Sequence, residues 1–242
     1  MKPILEIKDV LNTYKSQYHG IKALEKYQSW FPLKPSPKLA GVIGDLMGDG
    51  HLQGGLKWRV DYTSKYEKEL KRFDKEVFIL FGVKGKIRKC TTNNYNTKNL
   101  GINNKPLART LKLIGTPAGA KVFIKFNIPY WILKDKENFR RFISRLFSCE
   151  ACVDMNSKCI EIKMHKNKDI INDGVFFFNT IKKYLYKHFG IITTKTFLEG
   201  RDSLRKDGKI TKAVRLKIKR KKEVIKFSKL IGFEDKIKQK KL

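Results

Sequence analysis

The apolar positions of this chain change period several times, and each change marks an element. Helical spacing over Ile4–Tyr14 and Ile21–Trp30 predicts two short helices. Pro32, Pro35 and Pro37 then form a boundary, because proline blocks helix continuation and stiffens an extended linker. A helix of small residues follows, Lys38–Gly48, closed by Asp49-Gly50. Over Leu56–Thr63 the period is two. Trp58, Val60 and Tyr62 fall on one face, and Lys57, Arg59, Asp61 and Thr63 on the other, the mark of a half-buried antiparallel strand. Leu70, Phe73, Val77, Leu80 and Phe81 restore helical spacing over Tyr66–Phe81, which Gly82 stops. Val83–Thr91 and Lys98–Asn103 read as strands joined by the turn residues Asn93–Asn96. A helix over Lys105–Ile114 ends at Gly115, and 116–135, with Pro117, Gly119 and Pro129, reads as a connector.

The order then recurs. A helix over Glu137–Cys149 ends at Glu150, and Lys158–His165 alternates Ile160, Ile162 and Met164 against Glu161, Lys163 and His165. An amphipathic helix over Val175–Phe189 stops at Gly190, with Phe176-Phe177-Phe178 assigned to its core. Strands over Ile191–Leu198 and Lys209–Lys219 follow, the latter opened by the hairpin pair Asp207-Gly208, and a helix over Lys222–Ile231 closes at Gly232. The landmarks are evenly placed: Asp49, Gly82 and Gly115 stand 33 residues apart. The closing segments match in words, Asn99-Leu-Gly-Ile before Leu111-Lys-Leu-Ile-Gly115, and Arg215-Leu-Lys-Ile before Ser228-Lys-Leu-Ile-Gly232. The chain is therefore expected to be α+β, a tandem repeat of αββαββα units with antiparallel sheets and a pseudo-two-fold axis. Residues 1–36 form an N-terminal helical extension and linker, 37–120 the first repeat, and 121–242 the connector and second repeat.

Charge narrows the function. The 242 residues hold 54 Lys and Arg against 23 Asp and Glu, a formal charge of +31. With 41% hydrophobic and 12% aromatic residues, the chain is not disordered. Such an excess of like charge resists compaction and points to a polyanionic partner, nucleic acid before membrane. No apolar run approaches the roughly 20 residues of a spanning helix, and the first residues lack an apolar signal core. A cytoplasmic, nucleoid-associated location follows, and Cys90, Cys149, Cys152 and Cys159 suit a reducing compartment.

Two acids, Asp49 and Glu150, stand at equivalent helix C-termini, where unsatisfied carbonyls and the negative end of the macrodipole disfavour a carboxylate. Paired about a pseudo-two-fold axis, they would make an oxygen-rich negative spot suited to a hard divalent cation. Metal ions between carboxylates and a scissile phosphate are one route to phosphodiester hydrolysis. The polar strand faces carry Lys57, Arg59, Lys84, Lys86, Arg88, Lys163, Arg215, Lys217 and Lys219, and a β-ribbon so armed fits the DNA major groove. His51 and His165 read as groove-facing polar residues. Cys149, Cys152, Cys159 and His165 lack a usual zinc spacing, and Asp45 reads as an interface or solvated acid.

Leu39-Ala-Gly-Val-Ile-Gly-Asp-Leu-Met-Gly-Asp-Gly50 resembles the first signature of the LAGLIDADG homing endonucleases, and Phe139-Arg-Arg-Phe-Ile-Ser-Arg-Leu-Phe-Ser-Cys-Glu-Ala151 resembles the second. The resemblance covers about residues 37–242. It implies a single-chain, pseudo-symmetric monomer that cuts long double-stranded DNA sites, with two sheets forming a DNA-binding saddle and the signature helices at its centre. It further implies Mg²⁺ (or Mn²⁺) held by Asp49 and Glu150 with the adjoining Gly48 and Cys149, and basic residues Lys65 and Lys166 near the attacking water or leaving group. Intron RNA is a second candidate partner, through an RNA maturase, and a DNA-binding regulator is the other non-enzymatic alternative on this scaffold. Two departures bear on the site. Arg145 and Cys149 stand where the family packs small residues, so the helix is expected to rotate Ser144 and Ser148 toward its partner or to pack more loosely. Ala151 replaces a glycine and would resist a positive φ.

Overall fold

The computed structural model describes residues 2–90, 96–154 and 156–242. Most of the turn expected over Asn93–Asn96 lies outside them. Two compact units divide the chain, Met1–Gly119 and Ala120–Leu242.

The first unit opens with helices α1 (Ile7–Leu11) and α2 (Gln17–Leu24) and a 3-10 turn to Trp30. These are built into the unit. The Trp30 indole donates to the Phe81 carbonyl at 2.9 Å, and the Asn104 amide donates to the Tyr27 hydroxyl at 2.8 Å. Helix α3 (Pro37–Met47) starts where Ser36 accepts the Leu39 N–H at 3.2 Å, with Pro37 in the first turn. Then come β1 (Gly50–Gln53), β2 (Arg59–Ser64), α4 (Glu67–Phe81), β3 (Lys86–Lys89), β4 (Lys98–Ile102) and α5 (Lys105–Leu113). The antiparallel sheet runs β1-β2-β4-β3. Its apolar face, Val60, Tyr62, Leu100 and Ile102, packs under Leu70, Phe73 and Val77 of α4 and Leu107 and Leu111 of α5, all buried. Tyr62 stacks on Phe73 at 4.6 Å.

The second unit repeats the topology. Helix α6 (Tyr130–Lys134), inside the expected connector, leads into α7 (Lys136–Glu150), β5 (Ala151–Asp154), β6 (Cys159–Asn167), α8 (Ile171–Phe189), β7 (Phe197–Leu198), β8 (Ser203–Leu204), β9 (Ile210–Ile218), α9 (Lys221–Leu230) and α10 (Lys236–Gln239). The sheet order β5-β6-β9-β7 matches the first, with β8 added on β9. Phe177, Phe178 and Ile181 of α8 cover Ile160, Ile162, Leu216 and Ile218, whereas Phe176 is exposed, which corrects its assignment to the core. A fully buried aromatic side chain of this kind is worth about 2–3 kcal/mol.

Register makes the repeat quantitative. Tyr62 pairs with Gly50 on one side and Leu100 on the other, and Ile162 pairs with Ala151 and Leu216. The two sequence words that begin at Asn99 and Arg215 therefore occupy equivalent places. Some expected bounds shift. The strand expected over Leu56–Thr63 starts at Arg59, because residues 54–58 form the β1–β2 turn and Trp58 takes a positive φ of 41°. Lys57 thus lies in that turn and not on the strand. The strand expected over Ile191–Leu198 shrinks to two residues at its end.

Candidate functional site

The matched acids sit at matched addresses. Asp49 immediately precedes the β1 residue that faces Tyr62, and Glu150 immediately precedes the β5 residue that faces Ile162. Their local frames differ. Helix α3 ends at Met47 with Gly48 as C-cap, so exposed Asp49 lies just past the helix, whereas Glu150 is the last residue of α7 and half-buried. The glycine after Asp49 serves close approach. A Cβ on Gly50 would stand 2.6 Å from the Leu46 Cα, yet the Gly50 φ lies outside the left-handed region. Ala151 is extended at φ −86°, so the expected conflict with a positive φ does not arise.

Each signature helix is tied down within its own unit. Asp45, 1% exposed, takes two bonds from the Arg72 fork, at 2.8 and 2.9 Å. Arg72 also donates to Glu69 at 2.9 Å and to the Tyr62 hydroxyl at 3.3 Å, which links α3, α4 and β2 one turn before Asp49. The carboxylates, Asp45 first, raise the Arg72 pKa against the opposing effect of burial, so the guanidinium stays charged. Arg145, 1% exposed, has Glu234 at 3.7 Å, and the same carboxylate bonds Arg141. An arginine inside the signature helix is thus accommodated by an acid from the chain's last segment. Ser148 is turned toward that segment as well, its hydroxyl accepting the Glu234 N–H at 2.8 Å.

The two lysines expected beside the acids part company. Lys65 is exposed, one residue past β2. Lys166 is fully buried and committed elsewhere, which corrects the expectation of a basic residue at the reacting groups. Its ammonium donates to the Lys121 and Ile124 carbonyls at 3.0 and 2.7 Å, pairs with Asp173 at 3.0 Å and lies 4.0 Å over the Phe126 ring. Burial lowers its pKa, with Asp173 pulling the other way. Register identifies the residue equivalent to Lys65 as His165, three places beyond Ile162 as Lys65 is beyond Tyr62. Burial and the neighbouring Lys163, Arg215 and Arg205 lower the His165 pKa despite Glu199, so its imidazole is neutral near pH 7.

On the first sheet, Arg59, Lys84, Lys86 and Arg88 line a concavity of about 310 Å³ with Gly101 and Asn103. The Arg59 guanidinium bonds Asp61 at 2.7 Å and lies against Gly101, where a Cβ would meet it at 3.1 Å. On the second sheet, Lys163 and Lys219 are exposed, and Arg215 and Lys217 are held by acids. Arg215 donates to Glu161 at 2.9 Å and to Glu199, and Lys217 pairs with Glu161. Glu150, Cys152, Glu161, Lys163 and Arg215 line one cleft of about 480 Å³, so the acid at the end of α7 opens onto the basic strand face. The carboxylate anchors Glu199 and Asp173 and the lysine Lys238 carried no sequence signal, since each acts through segments distant in the chain.

Carboxylates beside helix-end carbonyls form a hard-oxygen donor set, the kind that suits Mg²⁺ or Mn²⁺. The carbonyls of Ser148 and Cys149 already accept a cation, the Lys238 ammonium, at 2.6 and 3.4 Å. Among the described residues no group of three or more His, Cys, Asp or Glu converges. No helix among the described residues is long and apolar enough to cross a membrane.

No protein-family model matches the chain, and no curated protein matches it. Solved structures do. A mesophilic variant of the homing endonuclease I-DmoI aligns with a TM-score of 0.51 at 20% identity, covering 81% of this chain and 95% of that one. The homing endonuclease I-WcaI bound to its DNA recognition sequence aligns with a TM-score of 0.55 at 12% identity over 98% of each chain. Full-length DUF199/WhiA from Thermatoga maritima aligns with a TM-score of 0.51 at 13% identity, covering 84% of this chain and 58% of that one. The fold is that of the LAGLIDADG homing endonucleases.

Proposed function

We propose, on the premise of that fold, that this protein is a site-specific endonuclease that hydrolyses both strands of a long duplex DNA site with a divalent metal, Mg²⁺ or Mn²⁺. The observation that carries the reading is the matched pair of acids. Asp49 and Glu150 occupy the same register position in two like units, each beside a sheet whose polar face is rich in Lys and Arg. Matched acids suit a duplex, which offers two scissile phosphates. In this reading Asp49 with the Gly48 carbonyl, and Glu150 with the Cys149 carbonyl, each hold divalent metal in their own unit. When bound, the ion polarises the scissile phosphoryl oxygens and offsets developing charge. Lys65 and His165 stand one strand away from their respective acids, and neutral His165 is able to accept a proton from water. Arg59, Lys84, Lys86, Arg88, Lys163, Arg215, Lys217 and Lys219 bind the duplex, some at base edges and the rest at phosphates.

A binder without cleavage is the second reading. The buried Arg145 within the second signature helix favours it. A randomised library of long duplexes, incubated with Mg²⁺, separates the two. Double-strand cuts that vanish in Asp49→Asn and in Glu150→Gln are expected. Selective binding with neither strand nicked points to the regulator, and a preference for structured RNA points to the maturase.

A further inference from the structure

The C-terminal end of α7 is clasped by the segment 233–239. A helix leaves its last carbonyls without intrahelical donors and presents the negative end of its dipole, so Glu150 stands in an unfavourable field. The segment from Phe233 to Gln239 answers this point by point. Glu234 pairs with Arg141 and faces Arg145 at 3.7 Å. The Ser148 hydroxyl donates to the Ser144 carbonyl at 2.7 Å and accepts the N–H groups of Glu234 and Asp235 at 2.8 and 3.3 Å. Lys238 then donates its ammonium to the Ser148 and Cys149 carbonyls at 2.6 and 3.4 Å. The helix that carries Lys238 is itself fixed. Asp235 caps it through the Ile237 N–H at 2.8 Å, and Gln239 accepts the Phe233 N–H at 2.7 Å. Lys238 is thus placed by a folded clasp and is not a loose surface lysine.

We propose that Lys238 is a resident cation that weakens divalent-metal binding at the Glu150 half-site. The inference rests on the metal-dependent reading above. In that reading the Cys149 carbonyl is a metal ligand, and Lys238 already donates to it. A fixed positive charge beside that oxygen repels a dication. The Glu150 half-site therefore requires more metal than it would without Lys238.

The test is a Mn²⁺ titration of the full chain, with free Mn²⁺ counted by electron paramagnetic resonance. Lys238→Met and Lys238→Gln are expected to tighten the Glu150-dependent class of sites by roughly tenfold, the scale of unit-charge repulsion of a dication in a water-like dielectric. Lys238→Arg should match wild type within twofold, and adding Glu150→Gln should abolish the gain. The sign is the discriminating feature, because a lysine that merely holds the helix end would weaken metal binding when lost. Amide exchange at Glu234 and Asp235 reports whether the clasp stays docked in each variant. Wild type that binds Mn²⁺ in a Glu150-dependent way, with docked variants that bind no tighter, overturns the role of Lys238 alone. Wild type whose Mn²⁺ binding is indifferent to Glu150→Gln overturns the metal reading, and the proposal with it.

Discussion

Lys166→Met is the sharpest test of how the second unit is held together. The substitution removes a buried ammonium that bonds two carbonyls of the segment 121–124 and pairs with Asp173. Breaking one side of a buried ion pair costs about 3–5 kcal/mol when the remaining charge is sealed from water. Asp173 keeps two reliefs. Its side chain is 14% exposed, and it accepts the Phe126 N–H at 3.2 Å. The expected loss therefore falls at the lower end, about 3 kcal/mol. Urea unfolding followed by tryptophan fluorescence and circular dichroism measures it. Linkage supplies an independent check. The folded pKa of Lys166 lies below the ordinary 10.5, so in the window just under that value the unfolded chain binds the proton more tightly than the folded one. Stability then rises with pH through the window, and this rise should be missing in Lys166→Met relative to wild type. A variant that unfolds at the wild-type midpoint but has lost an activity of the wild type would refute the reasoning and return Lys166 to the reacting groups.

Two further substitutions probe the first unit. Arg72→Lys keeps the charge but loses the fork on Asp45, and should cost about 1–2 kcal/mol, whereas Arg72→Met strips a buried carboxylate of its guanidinium and should cost about 3–5 kcal/mol. Thermal unfolding ranks the two, and equal losses would mean that charge alone matters. Gly101→Ala puts a Cβ 3.1 Å from the Arg59 guanidinium. If Arg59 reads a base edge, the variant should relax preference at one base pair by about 1–3 kcal/mol in a binding selection, while Lys86→Met lowers affinity evenly and reduces the salt slope by about 0.9.

The sequence carried the long elements because they are periodic and punctuated. Helix α4 was legible from Leu70, Phe73 and Val77 before Gly82, and the structure ends it at Phe81 with Gly82 left-handed at φ 65°. The strands β1 and β5 escaped because four residues give no usable alternation, and Gly50 is present for contact with Leu46, not for a turn. Lys166 was legible in principle. It continues the parity of Ile160, Ile162 and Met164, so a strand carried two residues further than His165 places it on the apolar face. Reading the strand as ending at His165 hid that. The partners of Arg145, Arg215 and Lys166 were out of reach, since Glu234, Glu199 and Asp173 are brought in by tertiary folding with no local pattern to announce them.

The charge of +31 also acquires internal structure. Arg59, Arg215 and Lys217 are each held by a carboxylate of their own face, Asp61 for the first and Glu161 for the other two. A cation so held contributes less net attraction to a phosphate, because part of its field is already cancelled. It has also given up rotamer freedom before any partner arrives, so ordering it on binding costs less. Lys84, Lys86, Arg88, Lys163 and Lys219 are exposed, fit for neutralising phosphates along a backbone. On the proposed function, the held cations set which sequence is bound and the exposed ones set how strongly any duplex is bound. The carboxylates then act against indiscriminate adhesion. A protein this basic would otherwise be sequestered by every duplex it meets, and on this reading Glu161 and Glu199 keep Arg215 and Lys217 from joining that general attraction.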